Sequence, residues 1–152
     1  MNNAYRGKAS KKGWTTEADM IDGELRTDEK HLYELMDDPT VSFLKFNNAQ
    51  EKMQGCVFLQ KRGTKLYLGM LSVDPELQAG GIGKKLMNAA EDHAKHLNCD
   101  AVIMRVISNR AELIAWYERQ GYKKTGQTEP FEDSRFGKAK IPIKFIVMEK
   151  MF

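Results

Sequence analysis

Across VDPELQAGGIGKKLM, residues 73–87, the chain changes its period. The run TKLYLGMLSV reads as a strand, and from Lys84 onward Leu86, Met87, Ala90, Ala94 and Leu97 recur at helical spacing until NCD. Gly80, Gly81 and Gly83 crowd the joint, although glycine costs roughly 0.5–1 kcal/mol relative to alanine inside a helix. A strand-to-helix turn exposes the helix's first unpaired N–H groups, and bare glycine backbone lets an anion approach them closely. Lys84 and Lys85 add positive charge at the same end. The pattern predicts phosphate binding, because a plain turn needs one glycine rather than three. Two named phosphate loops do not fit: GKK runs into Leu86 where a Walker loop needs Ser or Thr, and GxGxxG is absent.

The rest of the chain supplies a sheet for this joint. With 152 residues, 41% of them hydrophobic, it is expected to form a single domain, 1–152, with its own core. TVSFLKF, MQGCVFLQ and TKLYLGMLSV, separated by the turn compositions NNAQEK and KRG, predict an antiparallel meander. AVIMRVI is continuous and β-branched, the pattern of a strand buried on both faces. A helix from Asn109 to about Gln120 follows, then GYKKTG as a loop and a last strand near IKFIVMEK. Upstream, TTEADMIDG predicts a short helix capped by Thr15 or Thr16 and ended by Gly23. A second helix is predicted from Asp28 to about Met36, burying Leu32 and Leu35. The order predicts a mixed α/β sheet.

Composition narrows the partners. Net charge is +3 with acids and bases interspersed, which is no nucleic-acid signature but suits an anionic small ligand. No apolar run approaches the roughly 20 residues of a membrane span, and MNNAYRGKASKKG has no signal-peptide core, so a cytoplasmic protein without membrane partners is expected. Cys56 and Cys99 lack metal-finger spacing and read as buried free thiols. His93, His96 and Cys99 stand three apart on one helix, but drift about 60° per step, so at most two face one ion and no metal is expected.

Two segments resemble the GNAT acetyltransferases. LGMLSVDPELQAGGIGKKLM is similar to their coenzyme A motif Q/R-x-x-G-x-G/A, with Gln78, Gly81 and Gly83 in the matching places. AWYERQGY is similar to their helix with a tyrosine four residues before glycine, here Tyr117 and Gly121. With the element order, the likeness covers roughly residues 40 to 150. It implies the GNAT fold: an α/β (α+β) architecture with a mixed, mostly antiparallel sheet splayed at the cofactor site and helices on both faces. It also implies acetyl-CoA as cosubstrate, an N-acetyltransferase activity and a small-molecule or peptide amine as acceptor.

The resemblance assigns roles. Backbone amides of Gln78, Ala79, Gly80, Gly81, Ile82, Gly83 and Lys84 would cradle the pyrophosphate, while Leu71, Ser72 and Val73, within the stretch from Met70, would pair with the pantetheine arm as a further strand. An amine would attack the acetyl carbonyl directly, a backbone N–H of the splayed strand would hold the oxyanion, and Tyr117 would protonate the departing thiolate. Tyr117 also shares a helical face with Leu113 and Ile114, so a core role stands beside the catalytic one. Members often carry an asparagine seven residues before that tyrosine; here Arg110 holds the place and Asn109 lies one further back. Both are cofactor candidates, and Asn109 with Glu112 also reads as a capping box.

The general base has no obvious owner. Many members use a glutamate early on the third meander strand, roughly where this chain has Tyr67. The candidates are Glu17, Glu129, Glu132 and Asp133, or a water chain, and Trp14, Glu17, Glu129 and Glu132 are candidates for the acceptor pocket. Family members begin with a strand and helix ahead of NNAYRGKASKKGWTTEADMIDG, so the first strand is expected to be missing, leaving a sheet edge that a homodimer would cover. Two other functions compete: a non-catalytic CoA-binding regulatory module, and a general anion-binding domain.

Overall fold

The computed structural model describes residues 1–78 and 80–152. Two short helices, α1 (Asn2–Tyr5) and α2 (Gly7–Ser10), precede β1 (Ile21–Asp22) and α3 (Glu29–Met36). The meander follows as β2 (Val41–Asn47), β3 (Met53–Arg62) and β4 (Lys65–Val73). Then come α4 (Ile82–His96), β5 (Ala101–Ile107), α5 (Ala111–Arg119), β6 (Lys123–Pro130), β7 (Lys138–Ala139) and β8 (Lys144–Met151). The main sheet has six strands in the order β2-β3-β4-β5-β8-β6, antiparallel except for β4 against β5; β1 and β7 form a separate two-stranded ribbon. This is the mixed sheet that the element order predicts, mostly antiparallel as the family resemblance implies.

Period-two alternation divides the meander between two faces. Val57, Leu59, Leu66 and Leu68 point to one side and meet Leu86, Met87, Ala90 and Ala94 of α4 in the main core. On the other side Phe58 lies edge-on between Phe43 and Tyr67, with α1 against β4 and α3 against β2. Cys56 and Cys99 are both buried. Among the described residues, no helix is long and apolar enough to cross a membrane.

The sheet parts in its middle. Pairing of β4 with β5 is confined to Lys65–Tyr67 against Ala101–Ile103, so β4 beyond Tyr67 runs free of its neighbour. The cause is a bulge on β4: its register with β3 shifts between Cys56 and Phe58, and Met70 takes the left-handed φ of 51°. An extra residue on one strand increases local twist and bends it away, which opens the β4–β5 gap.

Several elements differ from expectation. TTEADMIDG is a turn and the strand β1, because Glu17 is buried beside Arg6 and Ile21 pairs with Ala139, outweighing the weak drive of a helix this short. In α3, Asp28 caps by accepting from the His31 N–H at 2.8 Å, but Leu32 and Leu35 are only half-buried. On β5, Arg105 is exposed among otherwise buried or partly buried residues. GYKKTG opens into the edge strand β6, exposed along its length, with a register shift between Lys124 and Thr128 around Gly126. An edge strand exposed on both faces carries no hydrophobic alternation to betray it. Residues 1–13 form no strand, and β2 stands at the open edge of the main sheet among the described residues.

Candidate functional site

The C-terminal end of β4 delivers the chain to α4 through Gly80 and Gly81. Gly81 is the N-cap in the left-handed region, at φ 85° and ψ 0°, where a side chain would cost about 1–2 kcal/mol. Among the described residues no side chain caps α4 and no acid occupies its first turn, so the donors at the start of this 15-residue helix are free to meet an anion. They open on a cleft of about 570 Å³ lined by Leu71, Val73, Gln78, Gly81, Ile82, Gly83 and Lys84 on one side and by Trp116 and Tyr117 of α5 on the other. A Cβ on Gly83 would stand 3.6 Å from the Trp116 ring, so glycine here keeps the cleft wide.

The expected cofactor residues divide. Leu71, Val73, Gln78, Gly81, Ile82, Gly83 and Lys84 line the cleft, whereas Gly80 is exposed outside its lining. Ala79 lies outside the described residues. Ser72 alternates to the opposite face, buried, and donates to the Met70 carbonyl at 2.7 Å. Gln78 uses its side chain structurally: Oε1 accepts from the Trp14 N–H at 2.8 Å, and Nε2 donates to Thr15 Oγ1 at 2.7 Å and to the Val73 carbonyl at 3.1 Å. That brings Trp14 into the lining of this cleft, 6.2 Å from the Trp116 ring.

Asn109 is not the cap of α5. Arg110 occupies the N-cap without a side-chain cap bond, and Asn109, exposed, only accepts from Ser108 Oγ at 3.1 Å. Neither residue lines this cleft. Arg110 instead turns into the β4–β5 gap.

Tyr117 stands where cleft and gap meet, lining both. It is 6% exposed and packs against Trp116 and Tyr122, so the core reading and the site reading hold together. Its hydroxyl makes no hydrogen bond to a described residue and faces the cavities. Burial first, then the neighbouring Tyr5 phenol, pushes its pKa far above the ordinary 10.0 and keeps it protonated.

Tyr5 also borders both cavities, and its hydroxyl donates to the Leu71 carbonyl on the free edge of β4. Burial, reinforced by Glu17, pushes its pKa up to about 12. Behind it lies a buried ionic group: Arg6 Nε meets Glu17 Oε1 at 3.3 Å, and Arg110 Nη1 stands 4.0 Å from Glu17 Oε2. Glu17 lines the β4–β5 gap and the wider cavity, about 510 Å³, into which the gap opens. Glu129, Glu132 and Asp133 line that outer cavity, and Glu129 pairs with Arg105 at 3.2 Å. Arg105 also donates to the Tyr67 hydroxyl at 3.2 Å, so Tyr67 sits in the gap without a carboxylate's function. Tyr5, Arg6, Arg26 and Arg105 carry no motif; only the fold brings them to the site.

A sheet parted beside an uncapped helix start, with a buried phenol at the junction, defines a split-sheet α/β domain with an anion-ready loop. The chain belongs to the GNAT acetyltransferase family, whose model matches residues 11–122. N-alpha-acetyltransferase 30 of Dictyostelium discoideum is 28% identical over 88 residues, 55% of this chain and 46% of that protein. The chain thus spans about half the length of the curated relatives it matches. Among solved structures, the ribosomal-protein-S18-alanine N-acetyltransferase of Escherichia coli superposes with a TM-score of 0.68 at 18% identity, over 82% of this chain and 77% of that one. The PaiA N-acetyltransferase of Thermoplasma acidophilum, in complex with coenzyme A, superposes at 0.58 with 20% identity, over 80% of this chain and 67% of that one. These likenesses show the fold.

Proposed function

We propose that this domain transfers the acetyl group of acetyl-CoA to a primary amine by direct attack. The observation that carries the reading is the position of Tyr117, a buried and protonated phenol that lines both the glycine-loop cleft and the β4–β5 gap. Coenzyme A fits the residues present: the uncapped α4 start with Lys84 suits its pyrophosphate, and the free edge of β4 suits an extended amide-bearing arm. When bound, the thioester supplies an activated acetyl carbonyl.

The remaining chemistry falls to the chain. The free β4 edge near Met70 and Leu71 offers backbone N–H groups to the charge that develops on the carbonyl oxygen. Tyr117, with its raised pKa, can donate to the leaving sulfur, and a phenol held protonated stays competent across the neutral range. The Tyr5 hydroxyl contends for the Leu71 carbonyl, so the arm's pairing with β4 requires that hydroxyl to turn away.

Glu17 and Glu129 are already ion-paired, and Glu132 and Asp133 line the outer cavity rather than the gap, so the amine sheds its proton to solvent and attacks as the free base. kcat/KM should therefore rise with pH along the ionisation of the acceptor amine alone. The direct test is calorimetry with acetyl-CoA joined to thiol release with a broad amine panel; binding without thiol release from any amine would move the reading to a regulatory CoA-binding module.

A further inference from the structure

Arg110 and Arg26 have more donors than partners. The Arg110 side chain is 7% exposed, yet Nη1 reaches Glu17 only at 4.0 Å and Nη2 donates to the Trp14 carbonyl at 3.4 Å. A guanidinium offers five N–H groups in a planar fork that matches a carboxylate, so most of its capacity is unused. Arg26, half-buried, lies 5.9 Å from the centre of the Tyr5 ring and meets no carboxylate within ion-pair distance among the described residues. With Arg105 they put three guanidiniums on the wall of the β4–β5 gap, against one lining carboxylate, Glu17, which Arg6 already holds at 3.3 Å.

Glu129, Glu132 and Asp133 line the outer cavity and not the gap; the two cavities share Glu17, Arg26 and Arg105, and Arg110 belongs to the gap. A polyamine or aminosugar would carry its extra cations inward against these arginines, and unpaired like charges in a partly buried site are disfavoured. A carboxylate beside the reacting amine would complete the under-used forks instead. Resting on the acetyl-transfer reading above, we infer that the acceptor is an amino-carboxylate, a free α-amino acid whose carboxylate is taken by Arg110 and Arg26 while its amine faces the β4 edge. The outer cavity, about 510 Å³, gives room for its side chain.

In the reaction the amine nitrogen bonds to the thioester carbonyl carbon and the carbon–sulfur bond breaks, the electron pair leaving with sulfur. The ammonium loses two protons: one is released to solvent, and the other replaces the proton that Tyr117 gives to the sulfur. The products are the N-acetyl amino acid and free CoA thiol.

The experiment is steady-state acetylation of the common α-amino acids, each beside its carboxamide, with spermidine and kanamycin as carboxylate-free amines. The expected result is turnover of at least one amino acid with kcat/KM about 100-fold above its carboxamide. Arg26→Gln and Arg110→Gln should each shrink that acid-over-amide ratio about tenfold through KM. If Arg110→Gln fails to fold, Arg26→Gln decides, because its side chain holds no ion pair. Equal rates for acids and carboxamides, or turnover of spermidine or kanamycin alone, overturns the amino-carboxylate acceptor and leaves acetyl transfer standing. Failure to bind acetyl-CoA in calorimetry overturns both.

Discussion

At the residue scale, the Tyr117 hydroxyl and the Glu17 carboxylate can each be tested by a single substitution. Tyr117→Phe removes the only atom by which that side chain can deliver a proton, and leaves its packing against Trp116 and Tyr122 in place. We expect kcat to fall about 100-fold, the low end for loss of a general acid, with acetyl-CoA affinity and melting temperature nearly unchanged. An unaltered kcat would remove Tyr117 from the reaction. Glu17 answers a different question, because Arg6 and Arg110 both turn to it in a buried setting. Glu17→Gln strands two guanidiniums away from water and should cost about 3 kcal/mol, or roughly 6–12 °C in Tm for a domain this size. A shift under 2 °C would mean that solvent reaches the group. Tyr117 is legible in AWYERQGY because its motif is contiguous, running from the last turns of α5 into the turn that closes it. The Arg6–Glu17–Arg110 group is not, since its members come from α1's end, a turn and the α5 cap, and local sequence does not encode their meeting.

At the scale of elements, the joint between β4 and α4 is the most legible part of the chain and its neighbours the least. Three glycines at a period change predict an uncapped helix start, and Gly81 takes the left-handed cap that only glycine adopts without strain. Gly81→Ala should therefore destabilise the domain by about 1–2 kcal/mol. Its new methyl meets no protein within 4 Å, so the cost is backbone strain at the helix start whose N–H groups are proposed to hold the anion. Acetyl-CoA binding should weaken about tenfold or more in calorimetry, and wild-type affinity in this variant would place the phosphates elsewhere. By contrast, the β4 bulge at Met70, which opens the gap, has no composition of its own: LYLGMLSV reads as an unbroken strand. Asn109 and Glu112 match a capping box in spelling, yet the helix begins one residue later than that box requires and caps on Arg110. TTEADMIDG fails in the same manner, because Thr16, spelled as a cap, instead accepts from the Ala18 N–H in a tight turn while Glu17 goes inward.

For the whole molecule, the meander and the α4 core follow from alternation and helical period, while the family's architecture is legible through the two motifs that resemble it. The distribution of buried phenols follows from neither, and it governs behaviour at high pH. Of the five tyrosines, Tyr5, Tyr117 and Tyr122 are all shifted upward, each chiefly by burial, Tyr5 to about 12 and the others further. In the unfolded chain each ionises near 10.0. Below that value both states hold the same protons and the phenols leave stability untouched; above it the unfolded chain loses protons that the folded chain keeps. Stability must then fall as pH rises, by up to about 4 kcal/mol per pH unit when all three contribute. Urea midpoints should be unaffected by these groups between pH 8 and 9.5 and drop steeply above 10, with three phenolates appearing in the ultraviolet spectrum only as the domain unfolds. Tyr122→Phe should reduce the steepness by about a third, since it removes one such proton. If all five tyrosines ionise near 10 while the domain remains folded, the buried positions of Tyr5 and Tyr117 at the cleft are wrong, and the proton donor proposed for the thiolate goes with them.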